Sequence, residues 1–229
     1  MTTRMLEEAA PSLLKPEQVY LQLKRSILDG TLAPGTHLTE TDLCSQLNTS
    51  RTPVHQAVTR LSDEHMIQLL PKKGLIVLEL QMQDVVNLYN VSEALESKAA
   101  ALAADGCSAY HLQRLEHLSS LIDNPPSDNG EKDDRDLNYI FHIAVAEASG
   151  NDILLGFIQT TRERLSLLRF SKKLALANLH DVSRTEESHD VSHTKIVEAI
   201  REHNSPLAFE RMQQHISLTK NRILKHYFY

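Results

Sequence analysis

The sequence contains few of the features that mark membrane-spanning or secreted proteins. Its 229 residues include no tryptophan and only 7 glycines, and no apolar run approaches the roughly 20 residues needed to cross a bilayer. The N-terminal stretch MTTRMLEEAAPSLL is acidic and has no apolar centre, so it does not fit a secretion signal. These absences predict a cytoplasmic protein without a membrane partner.

Cysteine and positive charge are also scarce. Cys44 and Cys107, the 2 cysteines, lie in separate segments without the spacing of a metal or disulfide motif, which is typical of a reducing compartment. The formal net charge of −6 argues against a protein that coats nucleic acid over its whole surface. A small basic face on an acidic body is compatible with this charge.

The chain divides near Leu80 into two parts of different character. Before Leu80, short helical patterns alternate with turns, whereas after it the pattern is helix upon helix with almost no glycine and no strand-like alternation. We therefore predict a mainly α protein with an N-terminal tail over 1–15, a first domain over 16–80 and an all-helical domain over 81–229. No internal repeat is found.

The first domain contains three helical patterns followed by two β-prone runs. They cover Pro16–Asp29, Glu40–Leu47, a helix from Ser50 to Glu64, Met66–Leu70 and Leu75–Leu80. This order predicts a winged helix-turn-helix, in which the third helix enters the major groove and the hairpin wing follows the backbone. Lys72 and Lys73 at the wing tip would then meet phosphates, and Gly74 would let the turn come close. The alternative is a small structural domain with solvated turn lysines.

The stretch NTSRTPVHQAV marks the start of the third helix. With Ser50 as N-cap, Pro53 falls in the first turn, where backbone N–H groups have no partner inside the helix. The exposed start of this helix then carries Ser50, Arg51 and Thr52. A helix start of this kind is suited to contact an anion.

The second domain is predicted to be an antiparallel bundle of six helices. Their predicted ranges are Asp84–Ala104, Ala109–Ile122, Arg135–Ser149, Asp152–Ser171, Ser183–Arg201 and Pro206–Lys225. Such a bundle is long enough to enclose an interior cavity, which is a usual place for a ligand. The acidic segment Asp123–Asp134 is interpreted as a surface connection.

Three histidines on three of these helices are expected to face inward at the same depth. Asn138 and His142 are four residues apart and share a face with Val145. At 1.5 Å per residue, His193 lies roughly 15 Å before the last interhelical turn and His215 roughly 17 Å after it, so an antiparallel hairpin brings them level. A shared divalent cation would give each imidazole a partner. Ordinary hydrogen-bonded core histidines are the alternative.

Two further possibilities follow from the same cluster. His189, one turn before His193, could serve as a substitute ligand. Three histidines with an open position also describe a catalytic zinc site, so a metal-dependent hydrolase is a remote alternative. No acidic residue is evident as a partnering base and no HExxH motif occurs, and we therefore do not predict an enzyme.

Both domains resemble known families. The segment ILDGTLAPGTHLTETDLCSQLNTSRTPVHQAVTRLSDEHMIQLLPKKGLIV resembles the DNA-binding domain of GntR-family bacterial transcription regulators. The segments LYNVSEALESKAAALAA, FHIAVAEASGND, SHTKIVEAI and AFERMQQH resemble the FCD ligand-binding domain of the FadR subfamily. Six C-terminal helices indicate its VanR-like branch. The resemblance covers almost the whole chain from about residue 16, with both domains in the family order.

The resemblance implies which residues contact DNA. The family's DNA-contacting helix start falls here on Ser50, Arg51 and Thr52, and its wing glycine falls on Gly74, beside the wing lysines already predicted. His55 and Thr41 stand where the family usually has arginine. A mostly neutral imidazole cannot replace a charged bidentate donor, so His55 is expected to contact DNA more weakly or to read a different base. Two lost cations should lower the salt slope of DNA binding by up to about two units.

The resemblance also implies a metal and an effector. The family's aspartate and three histidines fall here on Asn138, His142, His193 and His215. Asparagine keeps a carbonyl oxygen but not the charge, so the site should be weaker, with zinc, nickel or manganese as candidates. Ser92 stands where many members place an arginine that pairs with an acidic effector. The effector is then either neutral or bound by another cation such as Arg164.

Together these observations predict a DNA-binding transcription regulator. The specific hypothesis is a homodimeric, metabolite-responsive repressor that binds a palindromic operator and has a metal-containing effector pocket, with an organic acid as one candidate effector. The alternative is a regulator of the same class whose metal site is vacant or purely structural and whose signal is not a carboxylate.

Overall fold

The computed structural model describes residues 15–123, 137–170 and 192–228. The chain forms two compact units, Met1–Glu79 and Leu80–Tyr229. His189, and the predicted helix ends at Arg135, Ser171 and Ser183, lie outside the described residues. Within the described ranges, no helix combines the length and the apolar content needed to span a membrane.

The first unit is built from three helices and a small sheet. Its elements are α1 (Pro16–Leu28), β1 (His37–Leu38), α2 (Glu40–Gln46), α3 (Arg51–Asp63), β2 (Ile67–Leu70) and β3 (Gly74–Val77). The antiparallel sheet has the strand order β1-β3-β2. This confirms the predicted winged helix-turn-helix. Strand β1 was not predicted, because two residues show no periodicity.

Helices α1 and α3 pack through their apolar stripes, and a polar cluster joins them at one end. The Tyr20 hydroxyl donates to Glu64 Oε1 at 2.7 Å, and Lys24 Nζ lies 3.0 Å from Glu64 Oε2. The Arg60 guanidinium lies 3.5 Å from the centre of the Tyr20 ring and binds Glu17 at 2.8 Å. Arg60 is therefore a structural residue, although it is exposed on the same helix as the predicted DNA contacts.

The wing depends on a glycine at the start of β3. Gly74 has φ +85°, and a Cβ atom there would lie 2.2 Å from the carbonyl oxygen of Leu38. Leu38 belongs to β1 and pairs with Leu75 of β3. Gly74 is therefore required because β1 approaches the hairpin closely, in addition to its left-handed backbone.

The second unit contains six helices in the described residues. They are α4 (Met82–Gly106), α5 (Ala109–Asp123), α6 (Leu137–Ala148), α7 (Asp152–Ser166), α8 (His193–Arg201) and α9 (Ser205–Phe228), with a 3₁₀ turn at Leu167–Phe170. The long helix α4 packs against α6, α7, α8 and α9, and α5 packs against α6 and α8. The mainly α fold class is confirmed.

Several helix boundaries of this unit differ from the prediction, and two of these differences matter for function. Within the range Ser183–Arg201, predicted as one helix, a helix starts at His193, because Ser192 has extended backbone and its hydroxyl accepts from the Lys195 N–H. Asp123, predicted in a surface connection, is the last residue of α5. Both changes place charged and polar groups beside His193.

The sheet provides the first testable expectation. Gly74→Ala should destabilise the chain by at least about 3 kcal/mol, because left-handed strain adds to a clash with the Leu38 carbonyl. Gly35→Ala is the matched control, since Gly35 has φ +83° but no atom within 4 Å of the place that a Cβ would take. The control should lose only about 1–2 kcal/mol. Chemical denaturation measures both, and equal losses would show that β1 is not held by this contact.

Candidate DNA interface and metal centre

Helix α3 presents a polar stripe along its outer face. The stripe consists of five exposed residues, Arg51, Thr52, His55, Gln56 and Thr59. The opposite side, with Val54, Val58 and Leu61, is buried in the core of the first unit. Gln56 was not singled out from the sequence, although its position next to His55 on the stripe follows from helical spacing.

The start of α3 leaves its backbone donors available. Ser50 has the backbone conformation of an N-cap, but its side chain makes no capping hydrogen bond. At the start of α2, by contrast, Thr39 Oγ1 accepts from the Asp42 N–H at 3.1 Å. The first turn of α3 also contains no acidic residue. This helix start can therefore bind a phosphate through its N–H groups and the positive end of its dipole.

The remaining predicted DNA contacts lie on α2 and the wing. Thr41 is exposed in the first turn of α2, and Lys72 and Lys73 are exposed in the turn between β2 and β3. His55 is not isolated, because its Nδ1 lies 2.9 Å from Oε1 of Glu40, the first residue of α2. The helix-turn-helix thus holds one of its predicted contact residues through a carboxylate.

Three histidines meet in the second unit. His142 on α6, His193 on α8 and His215 on α9 each offer a ligand atom, and these atoms lie within 4.8 Å of one another. His142 and His193 are buried, and His215 is half-buried. The structure therefore brings together the three histidines that the sequence placed at equal depth.

A buried ionic network contacts Nδ1 of His142. Glu96 Oε2 lies 2.6 Å from His142 Nδ1, and Arg162 binds both carboxylate oxygens at 2.7 Å. Ser92 also donates to Glu96. Glu96 and Arg162 are only 1% and 6% exposed.

The charges in this network determine where protons lie. Burial alone would raise the pKa of Glu96, but Arg162 and His142 outweigh it and lower the pKa well below its usual range. Burial and the repulsion of Arg162 lower the pKa of His142 to about 4. His142 is therefore neutral at pH 7 and carries one ring proton. The Arg162 Nη2 atom is also 2.8 Å from Nδ1, but we assign the proton to Nδ1 because the carboxylate is closer and charged.

The tautomer of His142 shows whether the histidine cluster is suited to bind a cation. With its proton on Nδ1, His142 has a lone pair on Nε2, and Nε2 is buried without a hydrogen-bond partner among the described residues. A buried acceptor without a partner is costly. A divalent cation among the three imidazoles would supply the partner, and carboxylate-bound histidines are typical metal ligands. The residues present therefore fit a metal.

A second carboxylate orients His193. Asp123 Oδ1 lies 3.0 Å from His193 Nδ1, and its Oδ2 accepts from the Thr194 N–H and hydroxyl at 2.8 and 2.7 Å. Although burial opposes ionisation, these hydrogen bonds lower the pKa of Asp123 well below its usual range. The ionised Asp123 accepts a hydrogen bond from Nδ1–H, so Nε2 of His193 carries the lone pair.

The side-chain amide of Asn138 lies beside Nε2 of His193. Its Oδ1 lies 3.1 Å from His193 Nε2. Two acceptor atoms at this distance repel each other unless a proton or cation lies between them or the amide turns to present its NH₂ group. The Asn138 amide therefore lies beside the histidine cluster, next to an atom that would bind a cation.

The two predicted effector residues are not together. Ser92 is buried and its hydroxyl binds Glu96, whereas Arg164 is half-buried, interacts with Asp84 and has a buried Nε without a partner among the described residues. Arg162, and not Arg164, contacts the histidine cluster. Residues two apart on a helix face nearly opposite sides. Helical periodicity therefore predicts that only one of Arg162 and Arg164 faces the cluster, but the sequence alone does not show which side of α7 is buried.

A winged helix-turn-helix with an exposed recognition helix, followed by a separate helical unit, defines a DNA-binding transcription regulator. Residues 15–77 match the model of bacterial regulatory proteins of the gntR family, and residues 87–218 match the FCD domain. The chain therefore belongs to the GntR family of bacterial transcription regulators, in the group that carries an FCD domain. The family predicted from the sequence is confirmed.

Known relatives and structures agree with this assignment. The chain is 33% identical over 102 residues to an HTH-type transcriptional regulator from the TAR-I ttuE-ttuC′ intergenic region of Agrobacterium vitis, covering 44% of this chain and 60% of that relative. It is 26% identical over 204 residues to the HTH-type transcriptional regulator YdhC of Bacillus subtilis, covering 87% of each chain.

A solved structure has the same fold. Escherichia coli McbR/YncC superposes with a TM-score of 0.68 at 24% identity, covering 90% of this chain and 97% of that one. The matched families and relatives are transcription regulators and not enzymes. The prediction of a regulator is therefore confirmed over that of a hydrolase.

The buried network provides the second testable expectation. Arg162→Met should cost about 3–5 kcal/mol of stability, because it leaves the Glu96 carboxylate buried without its main counter-charge. Arg201→Met is the matched control, since Arg201 binds Glu116 at 2.8 Å with side chains 53% and 38% exposed. The control should cost no more than about 1 kcal/mol. Chemical denaturation of both variants is decisive, and a similar small loss in each would mean that Glu96 is not a buried charge.

Proposed function

We propose that this regulator is a cytoplasmic, metabolite-responsive repressor that binds a palindromic operator as a homodimer. The observation that carries the proposal is the exposed start of α3, with uncapped backbone donors, Arg51 and Thr52 on one polar stripe. One such helix contacts only a few base pairs. Two helices related by a twofold axis read an inverted repeat, which gives the affinity and length of site that a regulator needs.

We further propose that His142, His193, His215 and Asn138 hold a divalent cation, with zinc, nickel or manganese as candidates. The buried Nε2 of His142 without a partner supports this proposal. Glu96 and Asp123 keep the ring protons on Nδ1, so that Nε2 of His142 and of His193 presents a lone pair. A bound divalent cation would offer a coordination position to a carboxylate oxygen.

The charge at this cluster supports an anionic effector. Among the described side chains that meet there, two carboxylates, Glu96 and Asp123, and one guanidinium, Arg162, leave a net charge of about −1. A divalent cation would change it to about +1, since Asn138 is neutral. A singly charged organic acid would balance this charge. The positive charge of Arg162 is already engaged by Glu96, so Arg162 positions the site more than it attracts the ligand.

The predicted effector residues take different roles in this proposal. Ser92 acts through Glu96, which it hydrogen-bonds. Arg164 lies beside Asp84 and would contact an effector only if the ligand extended to that part of α4. Effector binding must favour a different arrangement of the two DNA-binding units by a few kcal/mol, because only a differential free energy shifts the equilibrium.

DNA recognition is tested first. Selection from random duplexes should enrich an inverted repeat, and Arg51→Ala should weaken binding to it by about 1–3 kcal/mol in fluorescence anisotropy. Arg25→Ala removes the same charge from the exposed face of α1 and should change affinity much less. Sedimentation should show a dimer. Enrichment of no sequence, or of a single half-site bound by a monomer, would contradict the proposal.

The metal is tested separately. The purified protein should contain a divalent metal by elemental analysis, and a chelator should lower its melting temperature. Asn138→Asp should tighten binding by about tenfold in competition with a chelator, because it adds a charged ligand. Asn87→Asp, an exposed change on α4, should have no such effect. If neither wild type nor Asn138→Asp binds metal, the alternative regulator with a non-carboxylate signal is favoured.

A further inference from the structure

The contact between His55 and Glu40 links the two helices of the helix-turn-helix. His55 lies on the exposed stripe of α3, and Glu40 is the first residue of α2. The Nδ1···Oε1 distance is 2.9 Å, and the two side chains are 66% and 34% exposed. The imidazole is therefore held at the surface by one of its two nitrogens.

This contact fixes the hydrogen-bonding character of the ring. An ionised carboxylate only accepts hydrogen bonds, so Nδ1–H of His55 donates a hydrogen bond to Glu40. In the neutral imidazole the other nitrogen, Nε2, then carries a lone pair and acts as an acceptor. An arginine at this place would be a donor. The structure thus gives the stripe an acceptor where a guanidinium would supply a donor.

The major groove distinguishes acceptors from donors. Adenine and cytosine present an amino group there, through N6 and N4, whereas guanine and thymine present only hydrogen-bond acceptors. An acceptor on the recognition helix can pair with the first two bases of the contacted strand and is repelled by the other two. The polarity of His55 therefore predicts which bases it tolerates.

We propose that His55, oriented by Glu40, reads the exocyclic amino group of adenine or cytosine on one strand of each operator half-site. Glu40 is a positioning residue, since it acts through the tautomer of His55. The inference rests on the proposed operator recognition by α3 and adds a base preference to it. The base preference of His55 on α3 then depends on Glu40 of α2.

The test is selection from random duplexes at about pH 8, followed by affinity measurements on single-base variants of the selected site. One symmetric pair of positions should favour adenine or cytosine over guanine or thymine by about fivefold, which is the effect expected from one hydrogen bond. His55→Ala should remove the preference at that pair of positions and at no other.

Glu40→Gln separates positioning from charge. The Gln amide can accept from Nδ1–H through its oxygen or donate to Nδ1 through its NH₂ group, so it no longer fixes the ring proton. This variant should therefore weaken the preference and admit guanine or thymine. Glu40→Ala should relax the same position, which keeps the test valid if one variant folds poorly. Asp63→Asn removes the same charge from the exposed last residue of α3. It should retain the wild-type preference.

The outcomes distinguish this inference from the proposed function. If wild type enriches no motif, operator recognition itself is wrong. If wild type enriches a motif but His55→Ala leaves every position unchanged, or the His55-dependent base is guanine or thymine, the inference is wrong and recognition stands. A Glu40→Ala variant with the full wild-type preference at that position would overturn the role of Glu40.

Discussion

The second unit depends on the burial of one carboxylate, Glu96, among the packed helices. A charge removed from water is stable there only if other groups satisfy it, and Arg162, His142 and Ser92 do so from α7, α6 and α4. The network joins three helices and also fixes the ring proton of His142. The same ionic contacts that hold the helices together therefore create the lone pair that a metal would bind.

A carboxylate beside Nδ1 recurs at three histidines of this chain. Glu96 contacts His142, Asp123 contacts His193 and Glu40 contacts His55. In each pair the carboxylate accepts a hydrogen bond from Nδ1–H, so Nε2 remains the acceptor. Two of these acceptors lie inside the histidine cluster and one lies on the exposed stripe of α3. The same arrangement would serve both proposed partners, the cation at the histidine cluster and the operator DNA at α3.

Local sequence patterns predicted most of the fold. At the histidine cluster they predicted the three histidines but not the residues that hydrogen-bond them. The apolar spacing of the helices, the turn residues of the wing and the depth of His142, His193 and His215 all follow from local geometry. The partners of those histidines do not. Arg162 and Glu96 are 66 residues apart, and their contact depends on how α4 and α7 pack. Asp123 was missed because its acidic surroundings resemble a solvated loop, and β1 because it is too short for any pattern.

The residues Asn138 and Asp123 place the negative charge of this site on a partner of a histidine and not on a residue in the ligand position. Asn138 has no charge where the family pattern has an aspartate, but Asp123 lies one imidazole away and is ionised. A carboxylate in this position increases the electron density of the ligand nitrogen without occupying a coordination position. The negative charge thus lies beside Nδ1 of His193 and not at residue 138. A cation bound there would be a more positive centre than one with an aspartate ligand, and it would favour an anionic ligand over a neutral one.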